Sequence, residues 1–424
     1  MELKLKRSIT WRQGVAMTVG AVLGSGILVL PVLAAELAGP ASLVSWFLMG
    51  VLTVPMVVAL AKLAARWPEA GGIAAYARQA FGARCGAATG WLFLGTVPFG
   101  APIVSLIGAH YLGSYLGLGS SGVTWLALAM LALAVGFNYR GIQISGAVQM
   151  AVVGAIALVL LAAVLTAMPN VRAEAFQPMA PHGWQPVGVA MTLLFWAYVG
   201  WEMIGHLAEE FRDPARDIRL SLGWSLLIVN GLYLLLALVT VGTGVYLGPD
   251  KMTALASMVE GGWGRGAGLL VALLGAASCY ATIHTYVAGF SRLVFAQARE
   301  GAFLPWFAEL HPKYQTPHRV LLLLFPVSAS LLLAGEFFQW DIKELIQFPS
   351  AIFIALYIIA MAAAVKLLPK GFGQSCAALS LAVCVAVYLF TGWVMLYPAV
   401  LGAIGWWASG QQEAQAEKGR LQQF

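Results

Sequence analysis

The residues best placed to do chemistry lie inside an apolar segment, residues 14–37. Gly24, Ser25 and Gly26 interrupt this segment, and Pro31 follows them. Because glycine destabilises the interior of a helix, these residues predict a helix that unwinds near its middle. Backbone N–H groups freed at the start of its second half would favour a carboxylate, since the helix dipole is positive there. In the alternative interpretation, the small residues only allow neighbouring helices to pack closely.

A second interrupted segment covers residues 187–208. Gly200 lies inside it, beside Glu202. Carbonyl groups freed at the end of the first half of each segment would favour an ammonium, because the helix dipole is negative there. One zwitterion that reaches both breaks would satisfy the N–H groups and the carbonyl groups together. The two segments therefore predict a binding site for an amino acid.

Glu202 is an ionisable group inside an apolar segment, where a charge is costly and usually functional. His206 lies four residues later, on the same helical face if the helix resumes there. The two side chains can relay a proton, which predicts a role in proton coupling. Alternatively, Glu202 accepts hydrogen bonds from the backbone of the break, and His206 is a structural residue of the bundle.

Charges of both signs follow at the end of this segment. Their mixture predicts an inner gate that opens and closes, or else a solvated loop whose arginines set the orientation of the chain. The gate residues would be Glu209, Glu210, Arg212 and Arg216, with Asp213, Asp217 and Arg219 close by.

The composition shows what surrounds these residues. Of 424 residues, 60% are apolar or aromatic and only 10% are charged. A soluble protein carries roughly 25% charged residues, because its surface must face water. The surface of this chain must therefore face lipid, which excludes a soluble enzyme, a nucleic-acid-binding protein and a disordered scaffold.

Twelve apolar segments, called spans 1–12, approach the length of about 20 residues that crosses a membrane. They cover residues 14–37, 41–64, 88–114, 123–139, 145–168, 187–208, 220–246, 266–297, 319–335, 342–366, 375–391 and 393–409. Helices are expected, because open strands would leave backbone groups unpaired in lipid. The predicted fold class is an all-α membrane protein with twelve transmembrane helices.

The basic residues predict the orientation. With the N-terminus inside, only Arg172, Lys251, Arg265 and Lys343 of the 24 Lys and Arg residues fall in outer segments, and the other 20 fall in inner ones. Basic residues concentrate on the cytoplasmic side of membrane proteins. Both termini are therefore predicted to be cytoplasmic, and a bacterial inner membrane is the predicted location. Two inner loops, 65–87 and 298–318, are predicted to form short amphipathic segments.

The interrupted spans 1 and 6 divide the chain into two halves of five spans. Broken spans at corresponding positions are typical of transporters built from inverted repeats. Within a single domain, residues 14–168 would form the first repeat and residues 187–366 the second. Spans 11 and 12, residues 375–409, are additions, and residues 410–424 form a cytoplasmic tail.

Other classes of protein lack support in the sequence. An intramembrane enzyme would need a catalytic set, but the sequence has no HExxH, GxSxG or P-loop pattern. The four cysteines are not at CxxC spacing and indicate no metal site. The chain is therefore predicted not to be an enzyme, to need no cofactor and to bind no nucleic acid.

Three groups of motifs resemble the amino acid–polyamine–organocation (APC) superfamily. They are GSGILVLP in span 1, FWAYVGWE and LAEEFRDPARDI in and after span 6, and GFSRLVFAQAREGAFLP in and after span 8. The stretch GWLFLGTVPFGAP resembles more narrowly the bacterial L-methionine and branched-chain amino acid exporters. The resemblance implies a LeuT-like fold with a 5+5 inverted repeat and two extra helices, which moves amino acids by alternating access as a monomer or weak homodimer in lipid.

The resemblance also assigns roles to residues at matching positions. Ser25, Gly26 and Ile27 match the break that binds the carboxylate, and Trp196 matches the aromatic residue that covers the substrate. The carbonyls of Ala197, Tyr198 and Val199 match those that meet the amino group, and Glu202 matches a residue implicated in proton coupling. Span 5 lacks the lysine that many proton-coupled relatives carry. The coupling ion therefore cannot be inferred from span 5. On the match of Glu202, a proton gradient is the expected driving force, and sodium is the alternative.

The side chains around the breaks predict the substrate. Trp196, Tyr198 and Trp201 lie there, with Phe99 of span 3 and Tyr280 of span 8 as further contacts. A cationic substrate would need a counter-charge beyond Glu202, since an unpaired cation at low dielectric is costly. A neutral, apolar substrate such as Met, Leu, Ile or Val is therefore predicted. The resemblance to exporters implies efflux, and an importer or exchanger of the same fold is the alternative.

Overall fold

The computed structural model describes residues 9–67, 72–142, 146–201, 211–248, 251–299 and 304–421. Within these ranges the chain is helical and forms no named strand. One isolated parallel bridge joins Ile9 to Phe211. The predicted all-α class is confirmed for this part of the chain.

Spans 1–5 and the loop 65–87 contain eight α-helices. These are α1 (Trp11–Val22), α2 (Leu30–Ala38), α3 (Ser42–Arg66), α4 (Gly72–Phe81), α5 (Ala83–Gly95), α6 (Val97–Leu116), α7 (Ser120–Tyr139) and α8 (Gly146–Ala167). Span 1 consists of α1 and α2, with a 3₁₀ turn at Ser25–Leu28 between them. Span 3 consists of α5 and α6.

The second half of the chain contributes eight more α-helices. These are α9 (Gln185–Leu194), α10 (Pro214–Thr243), α11 (Ala254–Trp263), α12 (Arg265–Arg299), α13 (His318–Phe338), α14 (Ile342–Leu367), α15 (Phe372–Tyr388) and α16 (Leu396–Leu421). The short helix α11 was missed by the sequence analysis, because it lies between two spans and is too short to cross a membrane. The helix α16 continues through most of the predicted tail.

The described residues form nine helical stretches that are long and apolar enough to cross a membrane, where the sequence predicts twelve spans. Neither span 1 nor span 6 forms one of these nine stretches by itself, because each is interrupted. The second half of span 1 is joined to span 2 in the stretch Leu30–Arg66. Spans 11 and 12 form the single stretch Phe372–Gln411, which Gly392 interrupts with a φ of 59°.

The two predicted amphipathic loops differ in outcome. In the loop 65–87 the structure forms the short helix α4, as predicted. In the loop 298–318, the described residues form only a 3₁₀ turn at Pro305–Ala308. The prediction for 65–87 is confirmed as far as a short helix, whereas the described residues between α12 and α13 form no α-helix of their own.

The core brings the two interrupted spans together. The first half of span 1, α1, packs against α10, and α9 of span 6 packs against α2 and α3. Large side chains such as Trp46, Tyr198 and Tyr233 are fully buried between these helices. In contrast, Trp125 and Leu158 on other helices are about two-thirds exposed, as expected for side chains that face lipid.

Replacement of Gly14 by alanine tests the crossing of α1 and α10. A Cβ atom on Gly14 would lie 2.7 Å from the Phe211 ring and would overlap the Ser221 hydroxyl. Overpacking of this kind lowers the free energy of unfolding by about 1–3 kcal/mol. We expect G14A to unfold at a lower temperature than the wild type in detergent.

The matched control is Gly231→Ala on α10, where a Cβ would meet no atom within 4 Å. Since alanine is the better helix former by about 1 kcal/mol, G231A should be as stable as the wild type or more so. Equal unfolding temperatures for G14A and G231A would contradict the packing described for α1.

Candidate functional site

Span 1 is interrupted where its glycines lie. The helix α1 ends at Val22, and Gly24 is extended with φ −61° and ψ −170°. A 3₁₀ turn follows at Ser25–Leu28, and α2 begins at Leu30. The N-cap residues of these two elements, Gly24 and Val29, have no polar side chain that could cap the first turn. The leading N–H groups of this break are therefore left for another acceptor.

Span 6 is interrupted at a corresponding position. The helix α9 ends at Leu194, a 3₁₀ turn covers Phe195–Tyr198, and Val199 is extended. Gly200 then has a φ of 121°, in the region that favours glycine. The remainder of span 6 lies outside the described residues. The predicted coupling residues Glu202 and His206 and the predicted gate residues Glu209 and Glu210 belong to that part.

The two breaks are in direct contact at Gly200. A Cβ atom on Gly200 would lie 2.7 Å from the carbonyl oxygen of Ala21 and 3.1 Å from the backbone nitrogen of Val22. Backbone thus approaches backbone at the end of α1, with no room for a side chain. Both the positive φ and this contact require glycine at position 200.

Tyr233 of α10 binds both breaks through one hydroxyl. Its oxygen lies 2.9 Å from the carbonyl oxygen of Val22 and 3.0 Å from that of Ala197, and its proton is shared between them. The ring packs edge-on against Trp46 and Tyr198, with centroids 5.2 and 5.3 Å away. A carbonyl freed by each broken helix is therefore satisfied from span 7.

A second tyrosine supports the other side of the span 1 break. Tyr111 of α6 is fully buried, and its hydroxyl donates to the carbonyl of Leu28 at 2.9 Å. The sequence analysis missed both Tyr111 and Tyr233. The available signal was a tyrosine deep within an apolar span, since a buried hydroxyl needs a hydrogen-bond partner and an unwound helix offers carbonyls.

Trp196 covers the first break. A Cβ atom on Gly26 would lie 2.6 Å from Cδ1 of the Trp196 ring. The far edge of the ring points towards Gly100 of α6, and Phe353 of α14 packs edge-on at a centroid distance of 6.0 Å. Trp196 is 8% exposed, and Ile27 beside it is 1% exposed. Apolar side chains from spans 1, 6 and 10 thus meet at the break, beside Gly100 of span 3.

The remaining aromatic residues of span 6 point elsewhere. The Tyr198 ring lies behind the break, beside Trp46 and near Gly50 of α3. Its hydroxyl is buried without a hydrogen-bond partner in the described part of the chain, as is Nε1 of Trp201. The backbone of Tyr198 therefore belongs to the break, while its side chain belongs to the contact between spans 2, 6 and 7.

Phe99 and Tyr280 lie in other side-chain clusters. Phe99 stacks on Phe348 of α14 at a centroid distance of 4.6 Å and packs edge-on against Tyr397 of α16. The Tyr280 ring lies 6.2 Å from that of His284 on α12. The structure shows neither ring in contact with Trp196, although Phe99 neighbours Gly100 in the chain.

The described part of the predicted gate contains Arg212 and Arg216, both exposed. The backbone N–H of Arg212 donates to the carbonyl of Ile9 at 3.0 Å, which joins the start of the chain to the end of span 6. The backbone N–H of Arg216 donates to Oδ1 of Asp213, the N-cap of α10. In the ranges covered by the structure, no three His, Cys, Asp or Glu side chains cluster closely enough to hold a metal ion.

Replacement of Tyr233 by phenylalanine tests the link between the breaks. The variant keeps the ring but removes the donor, so a buried carbonyl is left unsatisfied, which costs about 1–3 kcal/mol. We expect Y233F to lower the unfolding temperature in detergent. Tyr280→Phe is the matched control, because the Tyr280 hydroxyl has no hydrogen-bond partner in the described ranges. Equal stability of the two variants would rule out the link.

Comparison with known proteins identifies the family. The protein-family model described as amino acid permease matches residues 9–408 of this chain. The chain is 43% identical to the Bacillus subtilis uncharacterized amino acid permease YecA, over 95% of each sequence. It is 30% identical to the Escherichia coli L-methionine/branched-chain amino acid exporter YjeH, over 95% of this chain and 96% of the exporter.

A more distant relative is the human cationic amino acid transporter 4, which is 27% identical over 82% of this chain and 58% of the transporter. By their names, these relatives are a permease, an exporter and a transporter of amino acids. The chain is a multi-pass membrane protein that belongs to the amino acid permease family of the APC superfamily.

Proposed function

We propose that this permease exports neutral, apolar amino acids (Met, Leu, Ile and Val) across a bacterial inner membrane in exchange for protons. The observation that carries the proposal is the direct contact of the two helix breaks at Gly200 and Ala21. Two breaks side by side offer N–H groups and carbonyls to one small zwitterion.

The two ends of the substrate are assigned to different breaks. The carboxylate would meet the N–H groups of Ser25, Gly26 and Ile27 beyond Gly24, where no side-chain cap competes. The carbonyl of Ala197 already accepts a hydrogen bond from the Tyr233 hydroxyl. We therefore assign the ammonium chiefly to the carbonyls of Tyr198 and Val199.

A LeuT-like architecture explains the positions of the breaks. In this interpretation the chain has twelve transmembrane helices, with inverted repeats at 14–168 and 187–366 and two extra helices. The interruptions of spans 1 and 6, at corresponding places in the repeats, support it. Both termini would be cytoplasmic, and the permease would work as a monomer or weak homodimer.

The lining of the break supports an apolar substrate. Leu30 and Trp196 lie against Gly26, Phe353 packs against Trp196, and none of these described side chains carries a charge. The similarity to the Met and branched-chain exporter over almost the whole chain agrees with this lining. A cationic substrate is the second candidate, favoured by the similarity to a human transporter of cationic amino acids.

Export in exchange for protons is the proposed direction. Glu202 would carry the proton with His206 as its partner, and the inner gate would include Glu209, Glu210, Arg212 and Arg216. The scaffold is reversible, so an importer or exchanger would use the same site. The direction of the driving proton gradient distinguishes export by antiport from import by symport.

A panel of labelled amino acids in proteoliposomes tests the substrate class. We expect methionine and leucine to be taken up and to compete with each other. Lysine should compete at least about tenfold less well, because a second positive charge would be buried without a partner. Stronger competition by lysine or a polyamine than by methionine would contradict the neutral substrate class.

Replacement of Glu202 by glutamine tests the coupling. An acidic lumen should accelerate methionine uptake by the wild type, since an antiporter lets protons leave as substrate enters. In E202Q the acceleration should disappear, because the amide cannot exchange a proton. Glu344→Gln, at an exposed position of α14, is the control and should keep the acceleration. Acceleration by an acidic exterior would instead indicate symport.

A further inference from the structure

A charged network lies at the end of α2 remote from the break. Oε1 of Glu36 lies 2.6 Å from Nζ of Lys251, and Oε2 lies 2.9 Å from Nζ of Lys343. Lys343 also contacts Asp341 at 3.2 Å, where α14 begins. Lys251 and Lys343 are two of the four basic residues that the charge distribution assigns to the outside. The network therefore joins α2, the 3₁₀ turn at Lys251–Thr253 and the start of α14 at the proposed outer face.

A cavity of about 350 Å³ lies beside the Glu36–Lys251 pair. Apolar surface from Pro40, Pro181 and Leu247 forms much of its wall. The volume is within the range of about 300–1,000 Å³ that is typical of small-molecule sites. The cavity thus combines the Glu36 carboxylate, the Lys251 ammonium and the His182 imidazole with an apolar wall.

This combination matches a zwitterion with an apolar side chain. Lys251 has three N–H donors, and the described residues supply one acceptor for them, Glu36. A carboxylate can bind the remaining donors while an ammonium binds Glu36. Tyr246 also lines the cavity, and its hydroxyl can bond either group. The apolar side chain would then lie against Pro181 and Leu247.

The ion pair can exchange partners. Glu36 is 26% exposed and Lys251 is 39% exposed, and pairs open to water are held weakly. Glu36 lies ten residues after Gly26, which corresponds to about 15 Å along a helix. A ligand at the ion pair would therefore not occupy the break.

We propose that the cavity beside Glu36 and Lys251 is a second binding site for neutral amino acids, called the outer site. This inference rests on the proposed function and deepens it, because it places the same substrate at the outer end of α2. An amino acid leaving the break would be held there before it enters solvent, with its charges on Lys251 and Glu36.

Protection of a cysteine in the cavity wall tests the outer site. Leu247 is 75% exposed, so the L247C variant should react with a membrane-impermeant maleimide. Cys85→Ser removes the native cysteine that is not fully buried. In nanodiscs, methionine at about 10 mM should slow labelling about fivefold, as expected for a millimolar Kd. Methioninol, which lacks the carboxylate, should not slow it.

Three further variants test whether protection by methionine depends on Lys251 and on the position of the cysteine. Lys251→Gln in the L247C background should abolish protection by methionine. Lys343→Gln should retain it, because Lys343 also binds Glu36 but does not line the cavity. A cysteine at Asn170, which lies outside the cavity lining, should not be protected.

Methionine uptake by the same L247C protein is measured in parallel. Failure of the outer site can then be distinguished from failure of the proposed function. Uptake without protection overturns the outer site alone. Protection that persists in K251Q, or that appears equally at position 170, also overturns it. Absence of both uptake and protection in L247C, with no uptake by the wild type, overturns the proposed function and the outer site together.

Discussion

The architecture of this permease depends on main-chain groups that two interrupted helices leave without helical partners. A buried carbonyl without a donor costs about 1–3 kcal/mol, so a broken helix in a membrane needs donors from elsewhere. The Tyr233 hydroxyl supplies one at Val22 and Ala197, and Tyr111 supplies another at Leu28. Gly200 then lets the breaks touch. The breaks are therefore held in place by the protein itself, before any ligand binds.

The sequence predicts the places of the breaks but not what stabilises them. Glycines that weaken a helix act locally, so the unwinding around Gly24 and Gly200 can be inferred from neighbours in the chain. Tyr233 meets Val22 across 211 positions, and Lys343 meets Glu36 across 307. No local pattern encodes such pairs, and in the sequence Lys343 indicates only orientation. The position of Phe99, stacked on Phe348 instead of facing Trp196, depends on packing in the same way.

The short helix α2 connects the chemistry of the two proposed sites. Its first residues follow the break, and Glu36 near its end binds Lys251 and Lys343. Trp196 lies against Gly26 at one end, and the charged network holds the other. In alternating access, a movement of α2 away from α14 would separate Glu36 from Lys343 and open a path past Trp196. One nine-residue helix would thus link release at the break to the outer face.

The central claim is that both charged ends of one amino acid are bound by the two breaks. Its most direct test is competition against uptake of the transported amino acid in proteoliposomes, with two analogues that each lack one charge. The amino alcohol lacks the carboxylate, and the desamino acid lacks the ammonium. Since a charged hydrogen-bonding group contributes about 1.5–3 kcal/mol, each analogue should compete at least about tenfold less well than the parent amino acid. Competition by either analogue as strong as that of the parent would contradict the account.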